Sequence, residues 1–193
     1  LLLSGSLSLA HRQALKIRHA QYPLYVTRDI EEAKRYARQR FDEEPNHRSG
    51  LLASSHAKNL LKHGIDNGYQ ATSNMNVAKW YNAPTSDPKS SNALIQPVTE
   101  FSCQGLELDL PILCWGSDYR MQSENWNLTP INRRYKQDDP KALLRNAYRV
   151  LLTRGRDGLI IFVPNEPLMD ATENALLAAG VQLLPTAAEL IAV

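Results

Sequence analysis

The sequence predicts an α/β fold, a three-layer domain with a mainly parallel central sheet flanked by helices, and three observations predict it. Apolar runs of strand length alternate with amphipathic stretches of helix length along most of the chain. The run Leu159-Ile160-Ile161-Phe162-Val163 is apolar without interruption, so both of its faces must be covered, as in a parallel sheet. Ahead of it, Leu143, Leu144, Ala147, Val150 and Leu151 recur at helical spacing and give one buried face. With 193 residues, 43% of them hydrophobic, the chain can bury one sizeable core and reads as a single domain, 1–193.

The elements follow in order. Ser8 to Lys16 has weak helical character. Pro23 to Thr27 is a short strand, after which Asp29 caps a helix from Ile30 to about Phe41, with Glu31 and Glu32 in its first turn. Arg35, Arg38 and Arg40 on that helix form a solvated face. A polar loop, Asp42 to Ser49, leads to a buried strand, Gly50 to Ser54, and a helix that opens at Ser55 and stops near Gly64. Ser54 and Ser55 serve either as an ordinary N-cap or as a strand-to-helix turn that holds an anion on free backbone N–H groups.

Ile65 to Asn92 is a long excursion rich in Asn, Ser, Gly and Pro, with a short turn around Val77 to Tyr81. An extended run through Leu94, Ile95 and Val98 then reaches Ser102-Cys103-Gln104-Gly105, and Leu110 to Trp115 is the next strand. A second excursion, Ser117 to Asp139, carries Trp126 and the cluster Arg133, Arg134 and Lys136. Basic residues among aromatics suit single-stranded nucleic acid, and a solvated loop accounts for the same residues. Asp139-Pro140 starts the helix that ends at Arg154. After Leu159–Val163, Pro167 to Ala179 is a last helix closed by Gly180, and Val181 to Leu184 a last strand.

Two stretches bear the chemistry, Val98 to Asp109 and Arg145 to Arg156. Gly105 allows a sharp turn or a close backbone approach, and Glu107 and Asp109 project beside it. At about 100° per residue Arg154 falls on the inner face of its helix, at the C-terminal limit. Its guanidinium either neutralises the last carbonyls or reaches into the cleft that the helix end borders.

Several chemistries are missing. No Gly-x-x-x-x-Gly-Lys-Ser/Thr loop is present; at the nearest glycine spacing, Gly64 to Gly68, Tyr69 stands where lysine is required. The five histidines form no His-x-x-x-His pair, and no metal site, nucleophile elbow or triad is read. The net charge of +2 gives no global basic field, so a nucleic-acid surface must be local. Two cysteines, Cys103 and Cys114, read as reduced core thiols, in keeping with a cytoplasmic location, and no apolar run approaches the ~18 residues of a membrane span. A first residue other than methionine suggests a fragment of a longer chain.

The first stretch, from Thr99 through Gly105-Leu106-Glu107, and the second, Val150-Leu151-Leu152-Thr153-Arg154, resemble motifs V and VI of superfamily 1 helicases of the UvrD-like kind. Phe101, Gln104 and Gly155 stand where that pattern has His, Lys and Ala. With Cys103-Gln104-Gly105-Leu106-Glu107-Leu108-Asp109, Trp115-Gly116-x-Asp118 and Tyr148-Arg149-Val150, the chain is closer still to the Schlafen-type (group III) DNA/RNA helicase-like family. This resemblance covers roughly Arg48 to Val163.

The resemblance implies the second RecA-like domain of a two-domain, ATP-dependent helicase or translocase, its phosphate-binding domain lying upstream. It implies ATP with Mg2+, bound mainly by that upstream RecA-like ATPase domain. Arg154 becomes the arginine finger; Gln104, Gly105, Glu107 and Thr153 become nucleotide contacts, Glu107 on the ribose. DNA or RNA becomes the partner of Thr99 and Ser102, alongside Arg133, Arg134 and Lys136. The alternatives are a non-catalytic nucleic-acid- or protein-binding module with a degenerate motor fold, and a small-molecule enzyme on a doubly wound sheet. Fold alone does not choose among them.

Overall fold

Six parallel strands form the central sheet in the order β3-β2-β4-β7-β1-β8. In the computed structural model, which describes residues 2–40, 46–128 and 139–186, they are β1 (Leu24–Thr27), β2 (Ser49–Ala53), β3 (Val98–Thr99), β4 (Leu110–Cys114), β7 (Leu159–Phe162) and β8 (Gln182–Leu183). β5 (Tyr119–Gln122) and β6 (Asn125–Leu128) make a separate antiparallel hairpin. The helices are α1 (Leu7–His19), α2 (Ile30–Arg40), α3 (Tyr69–Thr72), α4 (Val77–Asn82), α5 (Pro140–Leu152) and α6 (Asp170–Ala178). Among the described residues no helix is long and apolar enough to cross a membrane.

The uninterrupted apolar strands are explained by alternation between two cores. Leu52, Leu113 and Ile161 point to the face covered by α5, α6 and the hairpin, where Leu144, Tyr148, Leu151, Leu176, Trp115 and Trp126 pack. Their neighbours Leu51, Ala53, Ile112, Cys114, Ile160 and Phe162 point to the other face, under Ala33, Tyr36 and Ala37 of α2 and under Leu60. Successive side chains of a strand face opposite ways, so a strand buried on both sides has no polar positions to spare. The result is the three-layer, RecA-like arrangement that the sequence predicts.

Local signals set the helix starts. Asp29 Oδ1 accepts from Glu31 N at 2.8 Å and Glu32 N at 3.2 Å, and Asp139 Oδ1 accepts from Lys141 N and Ala142 N at 3.0 Å each. These side-chain caps satisfy N–H groups that the first helical turn leaves without partners.

Several boundaries differ from the sequence reading. The helix expected from Ser55 to Gly64 is a 3-10 helix, Lys58–His63, although it does end at Gly64 in the left-handed conformation. The extended run from Leu94 shortens to the two residues of β3, because Leu94 itself turns with φ +54°. The last helix divides into a 3-10 turn, Pro167–Met169, and α6.

The second excursion is only partly a loop, since β5 and β6 occupy its first half. The turn between them places Ser123 and Glu124 at φ +48° and +63°, without the Asn-Gly that announces such turns in sequence. Trp126 is consequently core: it is 3% exposed and stacks on Tyr119 at 5.2 Å and 10°. It is no surface platform for a base.

Candidate functional site

The connection leaving β2 runs outward to β3, while the one leaving β4 runs through α5 to β7 on the other side. The carboxyl ends of β2 and β4 therefore flank a topological switch point, the crevice where open α/β sheets take their ligands. Here the chain fills that crevice with its own polar side chains. Ser54 Oγ donates to Asp118 Oδ2 at 2.6 Å, and Tyr148 OH donates to Asp118 Oδ1 at 2.7 Å while accepting from Gly116 N at 3.0 Å. Glu100, at the end of β3, accepts from Ser55 N at 2.9 Å and from Ser55 Oγ at 2.7 Å.

The backbone N–H that the sequence offers to an anion is thus occupied by an internal carboxylate. Ser54, Glu100 and Asp118 are all buried, and burial raises the Asp118 carboxyl above its ordinary pKa despite its two hydroxyl donors. Gly116 is required by the crowding: a Cβ there would lie 2.2 Å from Ala57 Cβ and 2.7 Å from Asp118 Oδ1. Glu100, Asp118 and Tyr148 escape sequence reasoning as a group. They are 18 and 30 residues apart along the chain, and only Trp115-Gly116-x-Asp118 hints at them.

The opposite edge, at the amino ends of β4 and β7, gathers the two stretches that the sequence singles out. Leu108 N donates to Arg154 O at 2.9 Å and Arg156 N donates to Leu108 O at 2.7 Å. The turn before β4 and the exit of α5 are thereby joined edge to edge. Arg154 tightens the joint: its Nη1 donates to Leu106 O at 3.1 Å and to Cys103 O at 3.5 Å, and its Nε donates to Val150 O at 3.0 Å.

Asp109 anchors the same edge from inside. It accepts from Arg48 N at 2.6 Å, pairs with the Arg156 guanidinium and lies 3.3 Å from His47 Nδ1. His47 Nε2 in turn meets Ser49 Oγ at 3.0 Å. Ser49, His47 and Asp109 thus have the connectivity of a hydrolase triad. Ser49 is 3% exposed within β2, however, and its N–H is held by Asn92 Oδ1 at 2.7 Å, so the hydroxyl is a structural pin. Burial lowers the His47 pKa from its usual 6.5 to about 4, which keeps the ring neutral in this chain of contacts.

Most of the predicted site residues gather at the amino edge. Gln104, Gly105, Glu107 and Thr153 are exposed at the amino edge, and Arg154 is half-buried beside them. Gly105 turns with φ +78° and has open space where a Cβ would project. The Glu107 carbonyl accepts from Tyr81 OH at 2.8 Å, and its side chain stands in solvent. Thr153 Oγ1 donates to the carbonyls of Arg149 and Val150 at 3.0 Å each and accepts from Arg154 Nη2 at 3.2 Å.

Thr99 and Ser102 are on the way from one edge to the other. Thr99 is 3% exposed, and its carbonyl accepts from Ser102 N and Cys103 N. Phe101, beside it, is 65% exposed. Asp109 does not stand with Glu107 as a pair of free carboxylates, because it is buried and paired. Arg133, Arg134 and Lys136 lie outside the described residues. Among the described residues no group of three or more His, Cys, Asp or Glu converges to hold a metal ion.

The family model for the Schlafen group 3, DNA/RNA helicase domain, matches residues 5–165. Comparison with curated proteins and with solved structures gives no match.

Proposed function

From the premise that this chain belongs to the Schlafen group 3 DNA/RNA helicase domain family, we propose that it is the second RecA-like half of an ATP-driven helicase or translocase. In this reading residues 1–193 form one domain, and an upstream domain of the same parent contributes the phosphate-binding loop. The observation that carries it is the joint at the amino edge, where hydrogen bonds bring Arg154 within one residue of Glu107.

The residues at this edge fit one wall of a nucleotide seat: an open turn at Gly105, an exposed carboxylate at Glu107 and a guanidinium at Arg154. In this reading the Mg2+ that accompanies ATP is held mainly by the upstream domain. ATP, when bound there, supplies the γ-phosphoryl group for transfer. Arg154 is preorganised for that group, since two of its nitrogens already grip backbone carbonyls and its Nη2 turns toward exposed Thr153. A donor fixed in advance stabilises developing charge without having to reorganise. Glu107 would accept from a ribose hydroxyl, with Gln104 and Gly105 lining the approach. Single-stranded DNA or RNA would pass the turn after β3, where Ser102 is half-buried and Phe101 offers an exposed ring for base stacking.

The test uses the parent protein with its upstream domain. Arg154→Ala should lower nucleic-acid-stimulated kcat by about 10³-fold or more, with nucleotide affinity changed far less. Arg154 also holds the 103–106 turn, so Arg154→Lys serves as a second variant that keeps the charge and loses the fork. Unchanged turnover in both folded variants would remove the assignment. One observation favours the rival, a non-catalytic binding module: Thr99 is buried and most Arg154 donors are engaged within the fold. That reading predicts a parent that binds nucleic acid with no ATP turnover to lose.

A further inference from the structure

A second charged locus lies away from the Gly105–Glu107 turn, on the outer flank of α5. Arg145, Arg149 and Thr153 follow one another at four-residue spacing and so share a stripe of the helix. Together with Leu2, Leu3, Ser4 and Leu152 they line an open cavity of about 270 Å³. Its far wall is not loose chain, because Trp126 Nε1 donates to Leu2 O at 2.8 Å and Tyr119 OH donates to Leu3 O at 3.0 Å. The aromatic core thereby fixes the 3-10 turn Leu2–Ser4 opposite the two arginines.

Two further observations point to a ligand. Among the described residues Arg145 Nε is buried with no hydrogen-bond partner, and no carboxylate lines the cavity. A guanidinium never loses its charge, so two of them one turn apart repel each other until an anion stands between them. The exposed guanidinium of Arg149 presents Nε–H and one Nη–H as a fork that takes two oxygens of one tetrahedral anion, with the Arg145 charge beside it.

We infer that this cavity is an anion seat for a single phosphate or pyrophosphate group, held by Arg145 and Arg149 against the wall Leu2–Ser4. Its volume is just below the ~300–1,000 Å³ of pockets that enclose drug-sized ligands, so it suits a phosphate group rather than a whole nucleoside triphosphate. The phosphate comes either from a free anion or from a nucleic-acid backbone. The seat lies toward the C-terminal half of α5, where the helix dipole opposes an anion. The two guanidiniums therefore carry the binding, which makes it salt-sensitive. It communicates with the amino edge through Thr153, whose hydroxyl also accepts from Arg154.

The experiment titrates the 193-residue chain with inorganic pyrophosphate at constant ionic strength, followed by thermal shift and by amide NMR. The expected result is a saturable rise in Tm, with shifts confined to the amides of Arg145 to Thr153 and Leu2 to Ser4. Arg149→Gln should weaken apparent affinity by about tenfold, and Arg145→Met with Arg149→Gln should abolish it. Lys62→Gln, on the opposite face of the sheet, should change nothing. A rise equalled by chloride, or unaltered affinity in Arg149→Gln, would overturn the seat. Arg149 is exposed, so that single variant decides the matter even where the double variant fails to fold. A second arm uses a short oligothymidylate: competition with pyrophosphate identifies a backbone phosphate, and its absence a free anion. Because no turnover is read, failure here is separate from failure of the motor reading.

Discussion

The two edges of the sheet use similar residues in opposite ways. At the carboxyl edge Ser54, Ser55, Glu100, Asp118 and Tyr148 satisfy one another in the interior, while at the amino edge the Glu107 side chain stands in solvent and Thr153, Arg154 and Arg156 keep exposed or half-buried positions alongside their partners within the fold. A buried polar network fixes a geometry because each unmet group is costly, whereas an exposed charge is free to meet a partner. The usual ligand crevice of an α/β sheet is here internal scaffolding, and the groups with spare capacity lie at the other end. α5 belongs to both: Tyr148 is in the network, and the chain leaving the helix carries Arg154.

The sharpest way to break this contrast is through turnover. Arg154→Ala is expected to remove about 4 kcal/mol of transition-state stabilisation in the parent, the equivalent of 10³-fold. Its effect on the unfolding of the isolated chain should be much smaller, and urea denaturation alongside the rate assay compares the two. At the carboxyl edge the order reverses. Asp118→Ala strands the Tyr148 and Ser54 hydroxyls in the core and should cost about 3 kcal/mol, read as a lower urea midpoint at unchanged slope. Glu107→Gln at the amino edge should stay within about 0.5 kcal/mol.

The edges should also answer pH with opposite sign. His47 in the unfolded chain takes a proton near 6.5, but the folded chain resists it until about 4. Its contribution to stability is therefore present above pH 6.5 and is lost as pH falls toward 4. Asp118 has a raised folded pKa, so its contribution grows as pH falls through that value. Melting between pH 7 and 5 should show a net loss on the order of several degrees. The slope should be shallower in His47→Gln; an unchanged slope in that variant would show that the imidazole does not titrate as its surroundings require.

A further modest effect tests the turn itself. Gly105→Ala meets no atom within 4 Å, so its cost is the strain of a left-handed backbone alone, about 1 kcal/mol in denaturant titration. A larger loss would mean that the 103–106 turn is held more tightly than its exposed surface implies.

The parallel sheet, its apolar strands and the capped helix α5 were legible in the sequence, because they depend on periodicity and on residues next to each other in the chain. Asp29, Asp139 and Pro140 act within one turn of where they stand. The hairpin was not legible, because Ser123 and Glu124 adopt left-handed turns that their types do not announce, and Trp126 then looks like surface. Bringing Gly105–Glu107 to Arg154 could be expected only from likeness to a family, since nothing local links residues some fifty positions apart.

By itself, then, the amino-acid order determined the apolar strands of the central sheet, the long capped helices and the faces they bury. Tertiary structure alone decided which polar groups are spent and which are left over. A hydrogen bond such as Ser55 to Glu100, or the burial that holds Asp118 above its ordinary range, exists only after distant segments meet and exclude water between them. Local pattern carries no information about that exclusion, so the free edge of this domain appears only once the fold is complete.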